Sequence, residues 1–169
     1  MHSTRIRTPV GTFIAHFNQR GLARLEFPPA AAAPTRSQSR SSEAYALPPE
    51  IRQWHRQTKQ ALQRTLAGKS SKALPPLDLS AGSNFQQQVW KAMLRIPAGA
   101  TKSYAEIAGE IRRPKATRAV GNACGANPIP VLIPCHRVVA SGGGLGGFSG
   151  GLHWKERLLK NEGVQFKLL

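Results

Sequence analysis

The 169-residue chain reads as a mixed α/β (α+β) fold in two parts, and three observations predict it. Residues 5–27 are short apolar runs separated by turn-like segments, the pattern of a small sheet. A single long amphipathic helix follows, carrying its apolar residues on one face. The second half then holds two helix-capping signals and a close pair of short helices. We place the boundary at residues 79 and 80, with an α/β domain over 1–79 and a second domain over 80–169.

In the first part, Ile6, Val10, Phe13 to Ala15, Phe17, Leu22, Leu25 and Phe27 supply the strand residues. Pro9-Val10-Gly11 and Asn18-Gln19-Arg20-Gly21 supply the turns. The stretch near 28–49, rich in Ala, Pro, Ser and Arg, reads as a long mobile loop whose arginines serve either DNA or a solvated linker. A helix is expected from about Glu50 to Ala67, with Ile51, Trp54, Thr58, Ala61, Leu62, Thr65 and Leu66 on one face and Gly68 as its stop. Pro75-Pro76-Leu77-Asp78-Leu79 reads as an extended connection.

In the second part, Ser83-Asn84-Phe85-Gln86 is a capping box opening a helix with Phe85, Val89, Trp90, Met93 and Leu94. Ser103-Tyr104-Ala105-Glu106 is another, opening a helix with Ile107, Ala108 and Ile111. After Arg112-Arg113-Pro114 a further helix is expected from about Lys115 to Gly125. Two short helices joined by a tight basic turn fit a helix-turn-helix. The second of them is rich in small residues, Ala116, Ala119, Gly121, Ala123 and Gly125. Such residues admit close approach either to a packed helix or to a nucleic-acid groove.

Lys and Arg number 24 against 8 Asp and Glu, giving a formal charge of +16. Each half, divided at Ser80, carries 12 basic and 4 acidic residues, so the excess is no basic tail. A field of this sign attracts polyanions, nucleic acid first among them, with general solubility as the plain alternative. Two cysteines are too few for a disulfide framework, and the first residues lack the apolar core of a signal peptide. No apolar run approaches a membrane span. A cytoplasmic location is expected, with no membrane partner.

The densest chemical signal lies between Asn127 and Gly151. Pro128, Pro130 and Pro134 stiffen the approach to Cys135-His136-Arg137-Val138-Val139, and seven of the ten residues from Gly142 to Gly151 are glycine. A lone cysteine is most often inert core. Cys135 departs from that pattern by adjoining a histidine and an arginine, both able to stabilise a thiolate, and by lying between a rigid turn and a loop able to fold over a flat ligand. Cys124 has none of these features and reads as packing. On a regular strand His136 would point away from Cys135, so either the backbone bends there or a water relays the proton. A third group should orient the histidine. Glu106 is a cap, and Glu110 and Glu156 fit solvent faces. Glu162 shares the inward face of Trp154 and Leu158 and lies in a last helical turn where the dipole disfavours an anion. Either it is functional or the helix end frays and leaves it in water.

Ile133-Pro134-Cys135-His136-Arg137-Val138-Val139 resembles the signature of the O6-alkylguanine-DNA alkyltransferases, also called methylated-DNA–protein-cysteine methyltransferases. Supporting matches are Phe85-Gln86-Gln87-Gln88-Val89-Trp90, Ile96-Pro97-Ala98-Gly99, Thr101-Lys102-Ser103-Tyr104, Arg118-Ala119-Val120-Gly121, Asn127-Pro128 and Ser149-Gly150-Gly151-Leu152. The similarity runs from about Gly82 to Gly163, in order and at the family's spacings; the first 80 residues match only loosely. It implies a small ribonuclease-H-like N-terminal α/β domain and a C-terminal winged-helix, helix-turn-helix domain. It also implies a monomer without cofactor, acting on double-stranded DNA that carries alkylated guanine.

The resemblance further implies roles. Cys135 is the alkyl acceptor, with His136, a water and Glu162 as its relay, and Asn127 as the hinge asparagine. Arg118 enters the duplex and fills the space of the flipped nucleotide, on a recognition helix that also offers Lys115, Ala119 and Gly121 to the minor groove. Tyr104 assists flipping and donates a hydrogen bond to the guanine. Ser149 meets the guanine O6, and the Cys135 and Val138 carbonyls accept from its exocyclic amine. Phe148 stands in the substrate loop where many members have tyrosine. The zinc site of some members has no counterpart, since no cysteine precedes Cys124.

The chemistry this implies is a single in-line attack by a thiolate on the alkyl carbon of a stable ether, with guanine leaving. No group is present to cleave the thioether formed, so each molecule should act once. Two rivals remain. A non-enzymatic protein that binds and flags the lesion would carry another residue at position 135, and a thiol hydrolase would have no use for Arg118 or the basic excess. Adduct size and action on O4-alkylthymine are left open.

Overall fold

The computed structural model describes residues 1–29, 47–71 and 73–167, so most of the loop expected near 28–49 lies outside the described residues. Strands β1 (His2–Thr8), β2 (Gly11–Asn18) and β3 (Gly21–Glu26) form an antiparallel sheet in the order β1-β2-β3. Alternation decides its inner face: Thr4, Ile6, Phe13, Ala15, Phe17, Leu22 and Leu25 are buried. The pairing shifts between His16 and Phe17, an irregularity that sets Phe17 opposite Leu22 and Ala15 opposite Leu25.

Helix α1 (Pro49–Leu66) covers this sheet, starting with a proline in its first turn. Its buried residues are the seven that the periodicity marks: Ile51, Trp54, Thr58, Ala61, Leu62, Thr65 and Leu66. The connection over 75–79 runs along the sheet edge, where Leu22 N donates to Pro76 O at 2.8 Å and Asp78 N donates to Leu22 O at 2.9 Å.

Beyond it, both capping boxes form, Ser83 with Gln86 on α2 (Asn84–Met93) and Ser103 with Glu106 on α3 (Tyr104–Glu110). Helix α4 (Thr117–Gly125) starts two residues later than the sequence suggests. Residues 113–116 close a turn of their own, with Ala116 N donating to Arg113 O at 2.9 Å, and Ala116 is still outside the helix at φ −91° and ψ 22°. Trp90 Nε1 on α2 donates to Ala123 O on α4 at 2.8 Å, fastening the two helices.

Two short strands, β4 (Lys102–Ser103) and β5 (Val138–Val139), pair in parallel and join the start of α3 to the cysteine segment. Helix α5 (Leu152–Asn161) closes the fold. The buried apolar residues form one main cluster that includes Phe13, Phe17 and Leu62 from the first half and Met93, Ile133 and Leu158 from the second. Site residues in the second half therefore rest partly on the first. Among the described residues, no helix is long and apolar enough to cross a membrane.

Candidate active site

The approach to the cysteine is a strained turn held by one side chain. Asn127, buried, accepts from Ile129 N at 3.0 Å and donates through Nδ2 to Ile133 O at 2.9 Å. Within that turn Val131 sits at φ 73°, a left-handed conformation that a β-branched residue avoids elsewhere. Strain of this kind costs roughly 1–3 kcal/mol and persists where the surroundings over-determine it. The same Asn127 Nδ2 also donates to Cys135 Sγ at 3.1 Å, so one amide ties the turn to the thiol.

Cys135, His136 and Arg137 form one turn of 3-10 helix, which answers the geometric puzzle of the sequence: the backbone bends. All three side chains are buried. His136 Nε2 donates to Glu162 Oε1 at 2.9 Å. Burial alone would raise the Glu162 carboxyl, but hydrogen bonds and charge from His136 and Arg137 outweigh it and hold it at about 2. Glu162 is therefore a carboxylate, an acceptor only, and the proton of the pair resides on His136 Nε2. The other ring nitrogen, Nδ1, is buried with no hydrogen-bond partner among the described residues and keeps its lone pair. Burial lowers the His136 pKa against the opposing pull of Glu162, so the resting ring is a neutral base.

Glu162 caps the C-terminal end of α5 with its side chain fully buried, not frayed into water. Arg137 accounts for this. Its Nε donates to both carboxylate oxygens at 3.1 Å and its Nη2 to Oε1 at 2.8 Å, while Gly99 N donates to Oε2 at 3.2 Å. Arg137 Nη1 donates to Ile96 O at 2.6 Å. The arginine thus serves the carboxylate, and the expectation that it stabilises the thiolate directly is corrected. With Nε and Nη2 on the carboxylate and Nη1 on a carbonyl, Arg137 makes no hydrogen bond to the Cys135 sulfur among the described residues.

A second buried cation escaped sequence reasoning. Lys155, 0% exposed, donates through Nζ to Val138 O at 2.6 Å and to Gly147 O at 3.3 Å. It joins the strand after the cysteine to the glycine loop. Burial lowers its pKa to about 8, opposed by the nearby thiols of Cys135 and Cys124. The signal was present: Lys155 lies four residues before Leu159 and beside Trp154, on a face too apolar for a solvated lysine. Burial also pushes the Cys135 thiol up to about 11, with Asn127 and Lys155 pulling the other way. The resting group is a thiol, and the nucleophile must be made by proton transfer. Cys124, raised to about 12 by burial, faces Met93 Sδ at 3.5 Å and is packing.

Around this centre, Tyr104 opens α3 half-buried, and a Cβ on Gly146 would lie 2.6 Å from its hydroxyl oxygen. The glycine loop therefore passes directly over Tyr104. Gly121 faces the other side of the same ring. Lys115, Arg118 and Ala119 are exposed at the start of α4, with Lys115 in the preceding turn, and Asn122 extends the same open face. Ser149 is exposed on the loop, Val138 is buried, and Phe148 packs its ring edge against Phe27 at 5.8 Å. Glu106 is a cap, as expected, and Glu110 pairs with Lys102 and Arg95 near the surface. Among the described residues no group of three His, Cys, Asp or Glu side chains is gathered to hold a metal.

Comparison with known proteins shows what this arrangement belongs to. Residues 84–164 match the family model of the 6-O-methylguanine DNA methyltransferase DNA-binding domain. The methylated-DNA–protein-cysteine methyltransferase of Methanosarcina barkeri is 37% identical over 168 residues, covering 96% of this chain and 97% of the relative. The chain belongs to this family. The Mycobacterium tuberculosis member is 55% identical over 86 residues, about half of either chain (51% and 52%). The crystal structure of Mycobacterium tuberculosis OGT in complex with DNA superposes with a TM-score of 0.71 at 35% identity, covering 96% of this chain and 92% of that one. As a methylated-DNA–protein-cysteine methyltransferase, the chain carries its cysteine and histidine in one buried turn, with the exposed α4 face as a separate surface.

Proposed function

We propose that this protein repairs O6-alkylguanine in double-stranded DNA by taking the alkyl group, once and irreversibly, onto Cys135. The observation that carries the reading is the buried pair of a free thiol and a histidine whose outer nitrogen is locked by an anchored carboxylate. Membership of a family named for transfer to a protein cysteine supports it, as does the DNA complex of the mycobacterial protein.

In this mechanism the extruded base enters beneath the glycine loop. The Cys135 proton passes through one water to the free Nδ1 of His136, and the Glu162 carboxylate stabilises the resulting imidazolium. The thiolate attacks the alkyl carbon in line; the new S–C bond forms as the C–O6 bond breaks. The electron pair departs on guanine, where the Tyr104 hydroxyl and the Ser149 region supply hydrogen bonds. Arg118 fills the vacated duplex position, with Lys115, Ala119 and Gly121 against the groove. Lys155 holds the Val138 carbonyl and the loop in one frame. Residues 1–79 act as a supporting domain for residues 80–169. The protein works as a monomer in the cytoplasm, its two free thiols favouring a reducing compartment.

Intact-mass measurement after incubation with methylated duplex tests this reading. One added methyl mapped to Cys135 is expected, and turnover of several lesions per molecule would refute it.

A further inference from the structure

One residue of the N-terminal sheet reaches the substrate loop. Phe27 follows β3 directly, and the proline after it favours extended backbone at that position. Its ring lies 4.9 Å from Trp154 on α5, 5.7 Å from Phe13 on β2 and 5.8 Å from Phe148 on the loop. The loop backbone closes on it as well. A Cβ at Gly150 would sit 2.5 Å from Phe27 Cε2, so a side chain there cannot coexist with this ring position. Two residues earlier in the chain, Leu25 N donates to Pro128 O at 2.9 Å. One short stretch of the first half thus touches both flanks of Cys135: the proline turn before it and the glycine loop after it.

We propose that Phe27 is a positioning residue for alkyl transfer, seating the Phe148–Gly150 segment at a fixed height above Cys135 and thereby setting the size of alkyl group accepted. The proposal rests on the alkyl-transfer reading above. Its physical basis is the poverty of other anchors on this stretch of the loop among the described residues. Lys155 holds Gly147, and Gly151 N donates to Phe148 O at 3.1 Å, but Ser149 is exposed and glycines supply no side chains to pack. Without Phe27 the aromatic contact that holds Phe148 down is lost. Gly146, two residues before this segment, lies against the Tyr104 hydroxyl, so a lift of about 1 Å at Phe148–Gly150 would displace Ser149 from the guanine, an error able to cost up to about 10²-fold in rate.

The test uses the full-length protein with O6-methylguanine and O6-benzylguanine in the same duplex, measured in single turnover. Phe27→Ala is expected to slow methyl transfer at saturating DNA about tenfold. The slowing for benzyl should be smaller, so that the benzyl-to-methyl ratio rises. Affinity for undamaged duplex, and alkylation of Cys135 by iodoacetamide, should stay within about twofold, because neither uses the loop seat. Phe27→Leu, which restores most of the volume, should recover most of the rate.

A paired variant keeps the test sound if Phe27→Ala is unstable. Gly150→Ala should impair transfer through its collision with Phe27, and adding Phe27→Leu should relieve it. An unchanged rate and ratio in folded Phe27→Ala would overturn the proposal, as would an equal fall in iodoacetamide reactivity or a double variant no faster than Gly150→Ala. Failure of the parent reading looks different: wild-type protein would then place no methyl on Cys135 at all.

Discussion

The cysteine centre and the exposed face of α4 solve opposite problems. At Cys135 the side chains are buried, and charge is admitted only where hydrogen bonds meet it: Glu162 is held by Arg137 and the neutral His136, and Lys155 by two carbonyls. On α4, Thr117, Arg118, Ala119 and Asn122 are exposed, and Arg118 makes no ion pair among the described residues. The first region spends its polar groups on one another to hold a reactive geometry. The second leaves them uncommitted, as the docking of a polyanion proposed for this face requires. On the proposed reading chemistry and docking are therefore separable, and variants should divide accordingly.

The sharpest division is expected at Cys135. Cys135→Ser should abolish alkyl transfer while duplex affinity, measured by anisotropy, stays near wild type. A comparable loss of affinity would mean that the two regions act as one.

Glu162→Gln comes next. An amide cannot support positive charge on His136, and base assistance is worth about 10²–10⁴-fold, so single-turnover transfer should fall within that range. The substitution also leaves Arg137 buried without its anion, at a cost of roughly 3 kcal/mol in unfolding free energy. Acid behaviour supplies an independent check. The Glu162 carboxyl is lowered in the folded protein to about 2 from 4.5, so its contribution is present above pH 4.5 and disappears as pH falls toward 2. Urea titrations across that window should show a steeper acid loss for wild type than for Glu162→Gln. Parallel curves would show that Glu162 is not held as a carboxylate.

Arg118→Ala should lower repair of a lesion in duplex by about tenfold or more and reaction with the free alkylated base hardly at all, since a free base leaves no gap to fill. Equal losses on both substrates would move Arg118 from docking to structure.

The smallest effect tests how tightly the centre is packed. Cys135 is only 4% exposed, so a methyl on its sulfur is overpacking, at a typical cost of about 1–3 kcal/mol. For a chain of this length that corresponds to roughly 2–4 °C in melting temperature per kcal/mol. Calorimetry of methylated and unmodified protein should therefore show a drop of several degrees, and a larger one after benzylation. An unchanged melting temperature would reveal spare room beside the sulfur.

Much of this was legible in the chain itself, because local rules act over a few residues. The inward face of α1, the two capping boxes and the small-residue helix of the helix-turn-helix follow from spacing and side-chain chemistry alone. Cys135 stood out from its neighbours, and the scarcity of acids directed attention to Glu162, whose buried contact with His136 the fold then supplied. What tertiary structure alone decided are the partnerships between distant positions. Arg137 reaches across 25 residues to Glu162 and 41 to Ile96, Lys155 reaches back to the carbonyl of Val138, and Phe27 crosses from the first half to the glycine loop. The bend that makes Cys135 to Arg137 a helical turn belongs to the same class. A cation's identity is written in the sequence, but whether it faces sulfur, a carboxylate or water depends on which segments fold against it. Burial makes that choice costly to get wrong, and only the packed fold determines which groups are buried together.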